Sequence, residues 1–160
     1  MEKEKKMTTE VRKIESAEEK RQICRAILEA LPEWFGIPQA REEYISGSAD
    51  KLFFAAMDGE NTVGFLYLKE TGRDTVELYV MGVLKARHRT GAGRALVEAA
   101  KRAAREAGYA FMQVKTVQMG KYAEYDATNR FYLAMGFREF EVFPHLWDEW
   151  NPCQVYVMGL

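Results

Sequence analysis

The chain has 160 residues, nearly half of them apolar, which is one domain's worth and enough for a single sizeable core. A formal charge of −1 leaves no global basic field of the kind a nucleic-acid binder carries, and no apolar run approaches the roughly 20 residues of a membrane span. The charged start, Met1 to Lys6, lacks the apolar stretch of a secretion signal, while Cys24, Cys153 and the two histidines have no metal or redox spacing, so both cysteines read as reduced thiols of a cytoplasmic protein that holds no metal.

Residues 1–9 carry no recurring apolar position and read as a solvated tail ahead of one domain over 10–160. Val11 to Glu15 reads as a short strand. Ser16 with Glu19 forms a capping box, and Ile23, Ala26, Ile27 and Ala30 make the buried stripe of a helix that Pro32 stops. A second short helix ends near Ser46. Lys51 to Met57 and Thr62 to Glu70 are strands joined across the turn signal Asp58-Gly59. Thr71 to Asp74 then turns the chain into an apolar strand, Val76 to Leu84. After a glycine-bearing loop, Leu96, Ala99, Ala100, Ala103 and Ala107 share one face of a helix that Gly108 closes. Tyr109 to Lys115 is a strand, Glu124 to Met135 a helix, and Phe137 to Val142 with Gln154 to Met158 the closing strand pair. No repeat, low-complexity stretch or linker interrupts this order.

The loop Arg87-His88-Arg89-Thr90-Gly91-Ala92-Gly93-Arg94 joins a strand to a helix N-terminus, where unpaired N–H groups and the positive dipole end favour an anion. Gly91 and Gly93 remove side chains that would keep a diphosphate off the main chain, and Arg89 and Arg94 add charge. A dinucleotide fingerprint would place a third glycine where Leu96 stands, and a P-loop needs Gly-Lys followed by Ser or Thr; neither is present.

The hexapeptide His88-Arg89-Thr90-Gly91-Ala92-Gly93 resembles the acyl-CoA loop of the GNAT superfamily of N-acyltransferases, with His in place of the usual Gln or Arg at its first position. Asn129-Arg130-Phe131-Tyr132-Leu133-Ala134-Met135-Gly136-Phe137 is similar to the second motif of that superfamily. The element order matches as well, so the resemblance covers essentially the whole chain. It implies a mixed α/β (α+β) GNAT-type fold of order β-α-α-β-β-β-α-β-α-β-β and acetyl-CoA as cosubstrate, held by His88, Arg89, Thr90, Gly91, Ala92, Gly93 and Arg94 through its diphosphate and by Met81, Gly82 and Val83 through its pantetheine arm. Gly82 inside a strand marks a bulge or a close backbone approach, or merely a weakened strand. A bulge there would splay two strands and leave an N–H near Val83 to polarise the thioester carbonyl.

Acyl transfer also needs a base and an acid. Glu77 lies eleven residues before His88, where the histone acetyltransferase branch carries its catalytic glutamate. It shares a strand face with Tyr79, and a carboxylate in a partly buried strand holds its proton more tightly unless it is paired. The plain alternative is a polar residue at a strand's wet end. Tyr132 would protonate the departing thiolate, or else packs in the core beside Phe131. Asn129, three residues before Tyr132 and on the same helical face, would hydrogen-bond the cofactor arm or cap its helix. Trp34, Phe35, Tyr44, Trp147 and Asp148 border the acceptor, or else close the core or a homodimer contact. These readings give an N-acetyltransferase acting on a primary amine of a small molecule or peptide, with no nucleic-acid or membrane partner. A non-catalytic acyl-CoA sensor is the alternative, and it would have no need of Glu77 or Tyr132.

Overall fold

The computed structural model describes residues 9–160, so the expected tail lies, apart from Thr9, outside the described residues. The elements are β1 (Glu10–Ile14), α1 (Ala17–Glu29), α2 (Pro38–Gly47), β2 (Leu52–Asp58), β3 (Asn61–Glu70), β4 (Thr75–Val83), α3 (Ala92–Glu106), β5 (Phe111–Val117), α4 (Ala123–Ala134), β6 (Arg138–Phe143) and β7 (Cys153–Gly159), with short 3₁₀ turns at Ser48–Asp50 and Lys85–Arg87. The order is the one read from the sequence. The strands form one seven-stranded sheet, β1-β2-β3-β4-β5-β7-β6. Every neighbouring pair is antiparallel except β4 and β5, which α3 connects as a crossover.

Helices pack on both faces of the sheet, over β5 and β7 on one face only. On one, α3 and α4 bury Leu96, Val97, Ala100, Tyr132 and Met135 against Val76, Leu78, Met112, Val114 and Tyr156. On the other, α1 and α2 bury Ile23, Cys24, Ile27, Leu28 and Ile45 against Phe53, Phe65, Tyr67 and Val80. The stripe of α1 differs from the expected one: Cys24 and Leu28 are buried while Ala26 and Ala30 face solvent, because the larger apolar side chains gain more by leaving water. On α3 the stripe turns the same way, with Val97 and Ala104 buried and Ala107 exposed. Ser16 caps α1 as expected, its hydroxyl accepting from the Glu19 N–H at 3.2 Å.

The chain after α3 turns later than its apolar pattern suggests. Gly108 takes φ +90°, the Tyr109 N–H returns to Ala104 O and the Ala110 N–H bonds Asp74 O, so β5 starts at Phe111 rather than at Tyr109. No helix among the described residues is long and apolar enough to cross a membrane.

Candidate active site

The parallel pair β4–β5 sets the geometry. It is paired only where Thr75, Val76 and Glu77 meet Phe111, Met112 and Gln113. Beyond Glu77, β4 stays with β3 and β5 stays with β7 as far as Val117. A wedge therefore opens between two strands that each keep their outer partner, and Glu77 stands at its apex.

The hydrogen-bond alternation of an antiparallel ladder tells which backbone groups face this wedge. The Leu84 N–H donates to Val63 O at 2.9 Å, so Leu84 is turned toward β3. With Val83 opposite Gly64 and Met81 opposite Leu66, the N–H and C=O groups of Val83 and Met81 point away from β3 and into the wedge. Those of Gly82 point to β3. The bulge expected at Gly82 is elsewhere: the register slips between Tyr67–Val80 and Leu68–Leu78, which makes Tyr79 the extra residue. Gly82 is a glycine because α1 crosses it closely. A Cβ there would lie 2.9 Å from Ile27 Cγ2 and 3.1 Å from Leu31 Cδ1, so Gly82 does not offer itself to a ligand.

At the open end the loop runs into α3. Arg89 (φ +63°) and Gly91 (φ +92°) are both left-handed, and Gly91, the N-cap of α3, has no side-chain cap. Among the described residues, the N–H groups of Arg89, Gly91, Ala92, Gly93 and Arg94 have no protein acceptor, and Arg89 and Arg94 form no ion pair. Free donors at a helix N-terminus with two uncommitted guanidinium groups are the groups that could hold an anion such as a diphosphate. Gly93 lets this end of α3 dock on α4, since a Cβ would meet two ring atoms of Phe131 at 3.1 Å and Met81 Cε at 3.4 Å.

Two members of the expected cradle are otherwise occupied. The Thr90 N–H and hydroxyl both donate to Arg87 O, at 3.3 and 2.6 Å. The His88 N–H donates to Lys85 O, and its ring Nε2 lies 2.8 Å from Val83 O, where it serves as donor because a carbonyl only accepts. His88 and Thr90 hold the loop's shape instead of facing the anion. Arg87 is also engaged, 2.8 Å from the Asp58 carboxylate at the β2–β3 turn.

On α4, Asn129 departs from its expected role. It is fully buried, its Nδ2 donates to Val117 O at 2.8 Å and to Tyr125 O at 2.7 Å, and its Oδ1 accepts from the Tyr156 hydroxyl at 2.6 Å. Both amide hydrogens are spent, so Asn129 ties α4 to the end of β5 and to β7 and has no donor for a cofactor arm. Tyr132, 7 % exposed, packs against Phe131, Phe137 and Tyr156 with ring centroids 5.6 to 6.3 Å apart. Its hydroxyl has no protein partner, yet it is not a sealed-in orphan; among the described residues only Arg41 Nε is. The accessible remnant of this side chain therefore includes its oxygen. Burial pushes the phenol well above its usual range, so the hydroxyl keeps its proton and is available as a hydrogen-bond donor.

Glu77 is 4 % exposed and bonds the Lys115 ammonium across the wedge's apex. Its burial is thus that of an ion pair rather than of a lone carboxylate. Lys115 escaped sequence reasoning because only the β4–β5 register reveals that it stands two residues beyond Gln113, the partner of Glu77.

The α1–α2 side forms an aromatic wall. Phe35 meets Tyr44 edge-on at 6.2 Å, Tyr44 meets Tyr79 at 5.9 Å, and Lys69 Nζ lies 4.7 Å over the Tyr79 ring. Burial, and then the neighbouring Tyr79, Glu43 and Glu77, raise the Tyr44 phenol above its usual range. Next to this wall the chain from Glu33 to Trp34 spans from β4 to α4. Glu33 pairs with Lys85, the Trp34 ring meets His88 at 5.8 Å, Trp34 Nε1 donates to Thr128 Oγ1 at 3.3 Å, and the Tyr125 hydroxyl donates to Trp34 O at 3.0 Å.

Trp34, Phe35 and Tyr44 are brought together; Trp147 and Asp148 do not join them. Trp147 is 46 % exposed and has no ring contact with the wall. The Asp148 carboxylate accepts from Asn151 Nδ2 and from the N–H groups of Trp150 and Asn151, bonds that hold it below the usual carboxylate range and spend it on its own loop. A depression of about 650 Å³ lies toward the paired end of β4 and β5, around Thr75, Phe111 and Val157, away from the loop.

Known proteins agree with this geometry. None of the curated proteins matches the chain by sequence. Solved structures do match by fold: a protein of Desulfovibrio desulfuricans assigned to the GNAT family (TM-score 0.79, 20 % identity, 95 % of this chain and 99 % of that one), the ribosomal-protein-S18-alanine N-acetyltransferase of Escherichia coli (0.73, 16 %, 95 % and 94 %), and the PaiA N-acetyltransferase of Thermoplasma acidophilum in complex with coenzyme A (0.69, 16 %, 93 % and 98 %). The family model described as acetyltransferase (GNAT) domain matches residues 49–139, more than half the chain and the stretch that holds the wedge, the loop and α4. The chain belongs to the GNAT acetyltransferase family.

Proposed function

We propose that the protein transfers an acetyl group from acetyl-CoA to a primary amine of a small molecule or peptide, by direct attack within a ternary complex. One observation carries the reading: a wedge between β4 and β5, edged by the main chain of Met81 and the N–H of Val83, ends at the uncommitted N–H groups of Gly91 to Arg94. In this reading Arg89, Arg94 and the start of α3 hold the diphosphate, and the Met81 and Val83 main chain takes up the pantetheine amides as a missing strand would. The Val83 N–H polarises the thioester carbonyl. Glu77 takes the proton of the incoming amine, and the Tyr132 hydroxyl protonates the sulfur.

The test is a screen of amines with acetyl-CoA, read as free thiol released, beside a melting-temperature titration with acetyl-CoA, ATP and NAD. Acetyl-CoA should raise the melting temperature while the other two do not, and at least one amine should release thiol. Equal protection by all three nucleotides contradicts a dedicated site.

A further inference from the structure

Two lysines beside Glu77, Lys69 and Lys115, have no part in the general reaction. Lys69 and Glu77 are opposite one another in the β3–β4 ladder, and Gln113, two residues from Lys115, is opposite Glu77 in the β4–β5 ladder. By strand alternation Lys69, Glu77 and Lys115 project from one face of the sheet, the face of the Phe35, Tyr44 and Tyr79 wall. Glu77 is the buried member, bonded to Lys115, and Lys69 lies over the Tyr79 ring. The other titratable groups nearby are the Cys153 thiol, which feels both Lys115 and Glu77, and Glu43 on α2, whose charge reaches Tyr44; on β6, two strands from Lys115, Glu141 and Arg138 share the face, opposite Val155 and Val157. The apex is neutral with Glu77 and Lys115 paired. An ammonium arriving alone shares the one carboxylate of the apex with Lys115 and leaves the crevice with an unbalanced positive charge, which partial burial makes costly.

We propose that the acceptor is an amine carrying its own carboxylate, of the amino-acid type, and that Lys115 selects it by pairing with that carboxylate while Glu77 turns to the amine. One ion pair is exchanged for two and no charge is stranded. The inference rests on the acetyltransfer reading above and names its acceptor class. The acceptor's ammonium gives up two protons, one leaving through Glu77 to solvent and the other balancing the proton that Tyr132 passes to sulfur. The nitrogen lone pair forms the bond to the carbonyl carbon, and the carbon–sulfur bond breaks with its electrons on sulfur. The aromatic wall favours an apolar or aromatic side chain on the amino acid.

The experiment compares matched acceptors with wild-type protein: L-phenylalanine, its methyl ester and phenethylamine, then L-methionine, L-leucine and their decarboxylated counterparts, by kcat/KM for thiol release. The free acids should exceed their esters and amines by about tenfold or more, the scale of one charge-assisted contact. The ester's amine is the less basic, so protonation bias runs against this result. Lys115→Met should bring the ratio of acid to amine rates to about one, while Lys115→Arg should keep the ratio of the wild-type protein. Independently of turnover, the CoA-loaded wild-type protein should be protected against heat by the amino acids and not by the amines. Equal rates with acid, ester and amine, or acetylation of plain amines with no protection by any amino acid, overturns the inference and leaves the acetyltransfer reading intact. Failure of acetyl-CoA to bind overturns both.

Discussion

Replacing Asn129 by alanine separates a structural from a cofactor-binding role for a motif residue. Its amide makes three hydrogen bonds inside the protein. Tyr125 O also belongs to the hydrogen-bond ladder of α4 and loses little. Val117 O and the Tyr156 hydroxyl, on a residue only 1 % exposed, lose a partner. A buried polar group left unpaired costs about 1–3 kcal/mol, so the substitution should destabilise the protein by roughly 3–4 kcal/mol. Tyr156→Phe alone should cost about 1–2 kcal/mol, and the double variant less than the sum of the two, with a coupling energy on the order of 1 kcal/mol. Urea unfolding midpoints measure all three, and calorimetric titration with CoA at a temperature where each variant is folded measures affinity. Unchanged stability together with CoA affinity lowered tenfold would return Asn129 to the cofactor.

Three further outcomes follow from the same geometry. Tyr132→Phe should lower kcat by about 10²-fold with CoA affinity unchanged; an unaltered kcat in steady-state assays removes Tyr132 from the acid role. Gly93→Ala should cost about 1–3 kcal/mol by overpacking, because the added Cβ meets Phe131 at 3.1 Å, and Phe131→Leu should recover part of it; urea melts with no destabilisation would contradict the docking of α3 on α4. Burial pushes the Cys24 thiol from about 9 up to about 12. An acid whose folded-state value is raised contributes stability that is whole below its unfolded value and is lost as pH climbs through the folded one. Unfolding midpoints should therefore fall between pH 9 and 12, by roughly 4 kcal/mol for this group, and the slope should flatten in Cys24→Ala; a midpoint constant over that range would contradict it.

The order of elements was legible because each follows from a local period and a local stop: Ser16 and Pro32 bound α1, Asp58-Gly59 turns the β2–β3 hairpin, and Gly108 ends α3. The loop at Gly91 and Gly93 was legible for the same reason. What stayed hidden depends on partners distant in sequence. The bulge at Tyr79 is a property of the ladder with β3, and Lys115 meets Glu77 only because β5 returns parallel to β4 for three residues before parting. Helical spacing correctly set Asn129 and Tyr132 on one face, but it could not tell that the face turns toward Tyr156, where Asn129 is consumed and only the hydroxyl of Tyr132 is left unbonded. At His88 and Thr90 the motif matched while the donors were spent on Val83, Lys85 and Arg87.

The proposed function requires that the main chain of Val83 and of Gly91 to Arg94 receive coenzyme A. An ¹⁵N-resolved NMR titration of the protein with CoA reads those amides individually. The largest shifts should fall on Met81, Val83 and Gly91 to Arg94, with the amides of Phe111, Phe140 and Val157 around the broad depression unmoved. Shifts confined to that depression, or none at saturating CoA, would contradict a coenzyme A site in the wedge.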